Sequence, residues 1–424
     1  GVDYALFQLG MIEGLQNKSD LKITTHQSLL AQFPTSNYAD DAAFEIGYTH
    51  FIKGNLDKAK SELNTFVQAY PRSSYIPRAL ITIGLVQYNQ NQDKDALESF
   101  KRVVKEYPST DEAKQALESI KNIYLDQSDA NGFLAYANST NIGNYSIAEQ
   151  DRITFQAANN YFVKGDYQNA VEALNAYFDK FPKAIQMKQA KFIRAESLVK
   201  LNRPSDAIPD YEFILNDWTS EYTERALINI SKLYLTQQQY NEAIVYLKKL
   251  ELTSEYKANY GFAINSLMEA YTSIKMPDDV LKYVDLIKES EKSSEEEKCR
   301  ASLFAGKAYL LKADTTTAMK ELVSVTHNTQ TITAAEAKYT IANLQYLKKE
   351  YKASQKTAFE LINKMPSYDY WVAKCFLLLA DNYIALKDNF QAKSTLQSIL
   401  DNYSNKNDDI IPSAQEKFNK LKNK

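Results

Sequence analysis

The run Phe33-Pro34-Thr35-Ser36-Asn37-Tyr38-Ala39 returns one period later as Tyr70-Pro71-Arg72-Ser73-Ser74-Tyr75-Ile76, and in part as Tyr107-Pro108-Ser109-Thr110. Each copy reads as a stop followed by a start. Proline pushes the residue before it out of the helical region, and a Ser or Thr such as Ser36, Ser73 or Thr110 can cap the next helix. The interval is 37 residues between prolines 34, 71 and 108, and again 37 between glycines 10, 47 and 84. One unit is being copied. Three further periods from Gly54 and Pro71 land on Gly165 and Pro182, in the matching segments Gly54-Asn55-Leu56-Asp57-Lys58-Ala59 and Gly165-Asp166-Tyr167-Gln168-Asn169-Ala170.

Within each unit, apolar residues at helical spacing outline two amphipathic helices. A small residue recurs in the first helix at Ala5, Ala42, Ala79, Ala116, Ala190, Ala226, Ala263, Ala301, Ala337 and Cys375, with Ile153 the exception. Five residues on, a second column reads Gly10, Gly47, Gly84, Ala158, Ala195, Ser231, Gly306, Ala342 and Ala380, broken by Lys121 and Met268. The second helix has its own column at Ala59, Ala96, Ala170, Ala207, Ala243, Ala318, Ser354 and Ala392. Helices that approach within about 8–10 Å tolerate little more than a methyl group at the crossing point, so these columns mark helix contacts. Large residues between them, such as Phe100, Leu174 and Tyr211, fill the space between hairpins, each contributing about 1.5–3 kcal/mol when fully buried.

Composition agrees. The 424 residues include only 11 Gly and 10 Pro, which favours long helices over turns. A net charge of -3 from nearly balanced signs leaves no electrostatic footprint for nucleic acid, and no stretch is apolar and long enough to span a bilayer. Cys299 and Cys375 are 76 positions apart and read as small buried hydrophobes, not as a metal knuckle or redox pair. The chain starts inside a repeat at Gly1-Val2-Asp3 and so looks like a segment of a longer precursor.

These columns resemble the tetratricopeptide repeat, which has a small residue at position 8, Ala at 20, an aromatic or Leu at 24 and Pro at 32; in the second unit those places are Gly47, Ala59, Leu63 and Pro71. The match runs from Asp3 to about Tyr403, with a period of 36 to 38 where the family has 34. The resemblance implies an all-α fold: a right-handed α-solenoid, or superhelix, of about eleven helix-turn-helix repeats. Pro412 to Leu421 reads as a polar capping helix with Phe418 and Leu421 inward. The expected division is repeats over 1–126, a degenerate repeat or loop over 127–145, and repeats plus cap over 146–424. In the degenerate part the Gly- and Asn-rich sequence predicts a short helix at Phe133 to Ala137 and then a loop.

No phosphate-binding Gly loop, zinc-protease helix motif or nucleophile elbow occurs, and His26, His50 and His327 each stand alone. His50 falls at a buried-type position, where a hydrogen-bonded core residue is expected. No catalytic residue, metal or cofactor is predicted. The expected function is non-catalytic protein–protein interaction, with a protein or peptide partner, no nucleic acid and no integral membrane span. The alternative is a regulatory or substrate-presenting arm of an enzyme whose catalytic domain lies elsewhere.

In tetratricopeptide arrays positions 2, 5, 9 and 12 of the first helix line the concave groove. Position 2 reads Arg78, Arg152, Arg225, Arg300 and Lys374 in five units, with Phe44, Tyr48, Tyr88, Phe155, Phe192 and Tyr339 beside it. The resemblance implies a basic ladder suited to an extended segment that carries carboxylates; the competing reading pairs each cation with an acid of the neighbouring unit, such as Glu196, Glu269 or Asp381. The Phe/Tyr-Pro-x-Ser joint is similar to that of bacterial envelope proteins, including the lipoprotein of the β-barrel assembly machine and the Tol-Pal-associated coordinator. Tyr370-Trp371-Val372-Ala373-Lys374 is similar to the C-terminal part of long repeat proteins in Bacteroidetes-type bacteria. That implies a periplasmic or outer-membrane-associated scaffold.

Overall fold

Where the repeat predicts paired rods, the chain forms them. The computed structural model describes residues 1–216, 220–327 and 331–422. They fall into two compact units, 1–222 and 223–424. The first holds α1 (Val2–Leu15), α2 (Ser19–Gln32), α3 (Ala39–Ile52), α4 (Leu56–Ala69), α5 (Ile76–Asn89), α6 (Asp93–Glu106), α7 (Asp111–Asp126), α8 (Ala130–Asn138), α9 (Ile147–Val163), α10 (Tyr167–Lys180), α11 (Met187–Lys200) and α12 (Pro204–Leu215). The second holds α13 (Thr223–Thr236), α14 (Tyr240–Thr253), α15 (Lys257–Ser273), α16 (Pro277–Glu289), α17 (Glu295–Leu311), α18 (Thr315–Val325), α19 (Ile332–Leu347), α20 (Tyr351–Lys364), α21 (Asp369–Ala385), α22 (Asn389–Asn402) and α23 (Ile410–Lys422). The first twenty-two are eleven consecutive helix pairs, and α23 packs on α21 and α22. The fold is all-α, an array of tetratricopeptide-type helix-turn-helix repeats closed by a final helix; no strand occurs among the described residues.

The small columns lie at the crossings. Ala42, Ala79, Ala116, Ala190, Ala226, Ala263, Ala301, Ala337 and Cys375 are fully buried, as are Ala59, Ala96, Ala170, Ala207, Ala243, Ala318, Ser354 and Ala392. Ala5, on the first helix, is exposed. At the glycine column the fit is tight enough to exclude a methyl group: a Cβ on Gly47 would meet Leu63 at 2.7 Å, and one on Gly306 would meet Leu322 at 2.6 Å. Glycine at these two places serves close approach, because each sits in a regular helix.

The turn inside every repeat has one device. A single residue with left-handed backbone follows each first helix: Asn17, Gly54, Asn91, Ser128, Gly165, Asn202, Gln238, Lys275, Ala313, Lys349 and Lys387. The next amide then reaches back to a carbonyl of the last helical turn, as Asn55 N to His50 O at 2.9 Å and Gln92 N to Gln87 O at 2.8 Å. This Schellman closure satisfies carbonyls that the helix end leaves open. Only two of the eleven positions hold Gly, so the turn recurs where its usual sequence marker does not.

The proline stops end α2, α4, α6 and α10 at the residue before the Phe/Tyr-Pro pair. Of the three expected caps, only Thr110 accepts a helix amide, from Ala113 at 3.2 Å. Ser36 and Ser73 instead accept from Tyr38 N and Tyr75 N, at 3.2 and 3.3 Å. They brace the turn ahead of the helix.

In the degenerate stretch α8 is longer than the expected 133–137, beginning at Ala130 because Asp129 caps it by accepting from Gly132 N at 2.7 Å. Residues 139–146 then run without helix to Ser146, whose capping box with Glu149 starts α9. At the C-terminus Leu421 is buried and Phe418 packs beside it, both inward.

Candidate functional site

The first-helix positions singled out by the repeat divide into buried supports and accessible groups. Phe44, Phe155 and Phe192 are buried, so they pack beneath the face and offer little surface to a partner. Phe44 stacks on Tyr75 from the next repeat with ring centroids 4.7 Å apart, and Phe192 meets Tyr222 at 5.2 Å. Phe7–Tyr38 and Tyr339–Trp371, both at 5.5 Å, repeat the arrangement. One aromatic comes from position 5 of a first helix, and the other stands just ahead of the next first helix at Tyr38, Tyr75 and Tyr222 and in its first turn at Trp371. This inter-repeat lock went unread in the sequence, although the recurrence of Tyr38, Tyr75, Tyr222 and Trp371 signals it.

Arg78 projects from α5 over two of these rings, its guanidinium carbon 4.8 Å from the Tyr48 centroid and 5.7 Å from that of Phe44. A flat cation on a ring face is attracted by the ring quadrupole and leaves its in-plane N–H donors directed outward. Arg78 and Arg152 are exposed and make no ion pair among the described residues. Arg225 is exposed on the first turn of α13. Arg300 is half-buried against Phe304 at 5.9 Å, with a buried Nε that has no hydrogen-bond partner. Lys374 differs, since it pairs with Asp409 at 2.5 Å and lies over Tyr370 at 5.5 Å. Asp381, one of the acids named as a candidate partner for the ladder, binds Lys417 at 2.5 Å. Of the remaining aromatics, Tyr48 and Tyr339 are half-buried. Tyr88 donates to Asp126 Oδ2 at 2.6 Å, a bond that pushes its phenol up to about 12.

Buried polar groups outside this face are structural. His50 is in the core, as expected of its position, though its Nδ1 has no hydrogen-bond partner, and burial lowers its pKa. Asp151 accepts from Tyr177 Oη and from Ile185 N, tying α9 to α10 and to the turn after it. Cys375 is buried, which pushes its thiol up to about 12, while Cys299 is half-buried. Among the described residues no group of three His, Cys, Asp or Glu side chains could hold a metal ion, and no helix is long and apolar enough to cross a membrane.

Three tetratricopeptide family models match this chain, at residues 155–212, 224–251 and 374–406, on the helix pairs just described. The chain is a tetratricopeptide-repeat protein. Residues 6–127 match the YfiO family, described as an outer membrane lipoprotein, so this tetratricopeptide-repeat chain resembles bacterial envelope members of the class. Such repeats support a protein-interaction scaffold, and the fold is generally non-catalytic. The similar solved structures include three that span most of the chain. A tetratricopeptide repeat protein from Parabacteroides merdae has 15% identity and a TM-score of 0.33, over 64% of this chain and 99% of its own. The P58(IPK) repeat domain has 14% identity and a TM-score of 0.31, over 100% and 98%. The Naa15/Naa10 complex bound to HypK-THB has 12% identity and a TM-score of 0.41, over 99% of this chain and 67% of that one. A comparison with curated proteins returns no match.

Proposed function

We propose that this chain is a binding scaffold of the bacterial cell envelope, periplasmic or attached to the outer membrane, that holds an extended, carboxylate-bearing segment of a protein partner in the concave groove. One observation carries the reading: Arg78 is held on the Tyr48 and Phe44 rings with no carboxylate paired to it among the described residues. An Arg oriented by stacking has lost part of its rotamer freedom in advance, so its fork binds a carboxylate at lower entropic cost. Arg152 adds a second exposed cation on the same face of α9. The YfiO-type match supports the envelope location.

The test compares the wild-type chain with the double variant Arg78→Glu, Arg152→Glu in affinity capture from an outer-membrane extract, read by mass spectrometry. Thermal unfolding is followed in parallel. The variant unfolds at the wild-type temperature and loses the captured protein; undiminished capture would remove the arginines from the site. Cell fractionation that places the native protein in the cytoplasm would overturn the location.

A further inference from the structure

Lys374, the last of the five position-2 cations in the chain, meets a carboxylate of the protein's own. Asp409 Oδ2 lies 2.5 Å from its Nζ. The same carboxylate accepts from Tyr370 Oη at 3.2 Å through Oδ1, and the ammonium lies 5.5 Å from the Tyr370 ring centroid. A position-2 cation resting on an aromatic ring is also the arrangement at Arg78, where the rings are Tyr48 and Phe44. The difference is the carboxylate, which the chain itself supplies at Lys374.

Asp409 arrives with the cap. It ends the irregular segment 403–409 and stands just ahead of α23, which packs on α21 and α22 through buried Ile410 and Ala414. Each earlier first helix packs in this way on the pair before it, as α21 does on α19 and α20. So α23 takes the place of a next first helix and carries Asp409 onto a groove position of α21. The preceding residue fixes the approach: Asp408 accepts from Tyr403 Oη at 2.5 Å, from Asn405 Nδ2 at 3.0 Å and from Ile410 N at 3.0 Å. The Asp409 side chain is nevertheless 53% exposed, and ion pairs in contact with water are screened and contribute little net stability. A carboxylate arriving from outside can exchange with it.

We propose that Asp409 is a built-in competitor: it occupies the place of a partner carboxylate on Lys374, and an acidic partner segment engages that lysine only by displacing it. This deepens the groove reading and rests on it, since Lys374 is a groove position only under that reading.

The probe is a dansyl-labelled hexa-aspartate peptide, titrated against the full chain at low salt and followed by fluorescence anisotropy. Asp409→Asn keeps the shape and removes the charge; it binds the probe about two- to fivefold more tightly than wild type. Adding Lys374→Met cancels the gain. That cancellation separates release of the lysine from the mere loss of one negative charge, which would tighten binding with or without Lys374. Should the Asn variant melt early, Asp409→Ser, which keeps a polar group ahead of α23, takes its place. Unchanged affinity on removing the charge, no binding of the probe to that variant, or a gain that survives Lys374→Met would overturn the proposal. The groove reading fails separately: it is lost if Arg78→Glu with Arg152→Glu leaves wild-type binding of the probe intact, whereas arginine-dependent binding without a gain in Asp409→Asn sinks only the competitor.

Discussion

Gly84 lies so close beneath Phe100 that a methyl group in place of its hydrogen would sit 2.6 Å from the ring carbon Cε1. Phe100 is buried and its neighbours Val103 and Ala96 are closed around it, so the ring cannot retreat. Gly84→Ala gains helix propensity of up to about 1 kcal/mol but overpacks the crossing by about 1–3 kcal/mol, so a net loss is expected. Gly261→Ala, with open space around its new methyl, keeps only the gain and stabilises by about 0.5–1 kcal/mol. Denaturant melts of the two variants check the contrast; effects of the same sign would contradict it.

His26 is enclosed between Gly10 and Phe7, the Phe7 ring centroid 5.6 Å away, and neither ring nitrogen has a hydrogen-bond partner. Burial, with a further push from the Lys22 charge, brings its pKa down to about 4. In the unfolded chain the imidazole takes a proton near 6.5. Between those values the unfolded state binds more protons, so the stability from this site is present above about 6.5 and is lost as the pH falls toward 4. At pH 4.5 the loss is about 2–3 kcal/mol. His26→Leu removes this dependence: its melting temperature, compared with wild type, rises on going from pH 7 to 4.5. Parallel melting curves at the two pH values would refute the assignment.

Asp210 is buried and bridges α12 to α11, accepting from Arg194 Nε at 2.7 Å and Nη2 at 2.6 Å, with Lys191 Nζ 3.1 Å away. Arg194 is further held by Asn175 Oδ1 at 2.6 Å and by the Phe178 ring at 4.7 Å. Asp210→Ala leaves two mostly buried cations facing each other and costs about 2–4 kcal/mol. Removing the charge on both sides, as in Asp210→Leu with Arg194→Met, recovers at least half of that loss. A double variant as unstable as the single one would show that the cost is packing and not charge.

The period, the helix pairs and the crossing points were legible in the sequence because each is a local requirement repeated in register. A helix needs its apolar stripe and two helices in contact need a small residue, so Ala59, Ala96, Ala170 and Ala207 announce themselves by spacing. Ser36 and Ser73 were misread as helix caps, since a cap and a turn brace demand the same residue type two positions after Pro. Beyond Gly54, Gly165 and the asparagines 17, 91 and 202, the left-handed turn residues were invisible, because Lys, Gln, Ala and Ser adopt that backbone only when the hairpin around them imposes it. At the candidate face the chemistry of the arginines was readable, but their partners were not. Arg78 rests on Tyr48 and Phe44, and Lys374 is neutralised by Asp409, because such pairings depend on how side chains from separate helices meet in space. By itself, then, the sequence determined what each repeat is and where its helices touch. Tertiary packing decided which cations rest on rings and which meet a carboxylate, since both depend on the space left between neighbouring repeats.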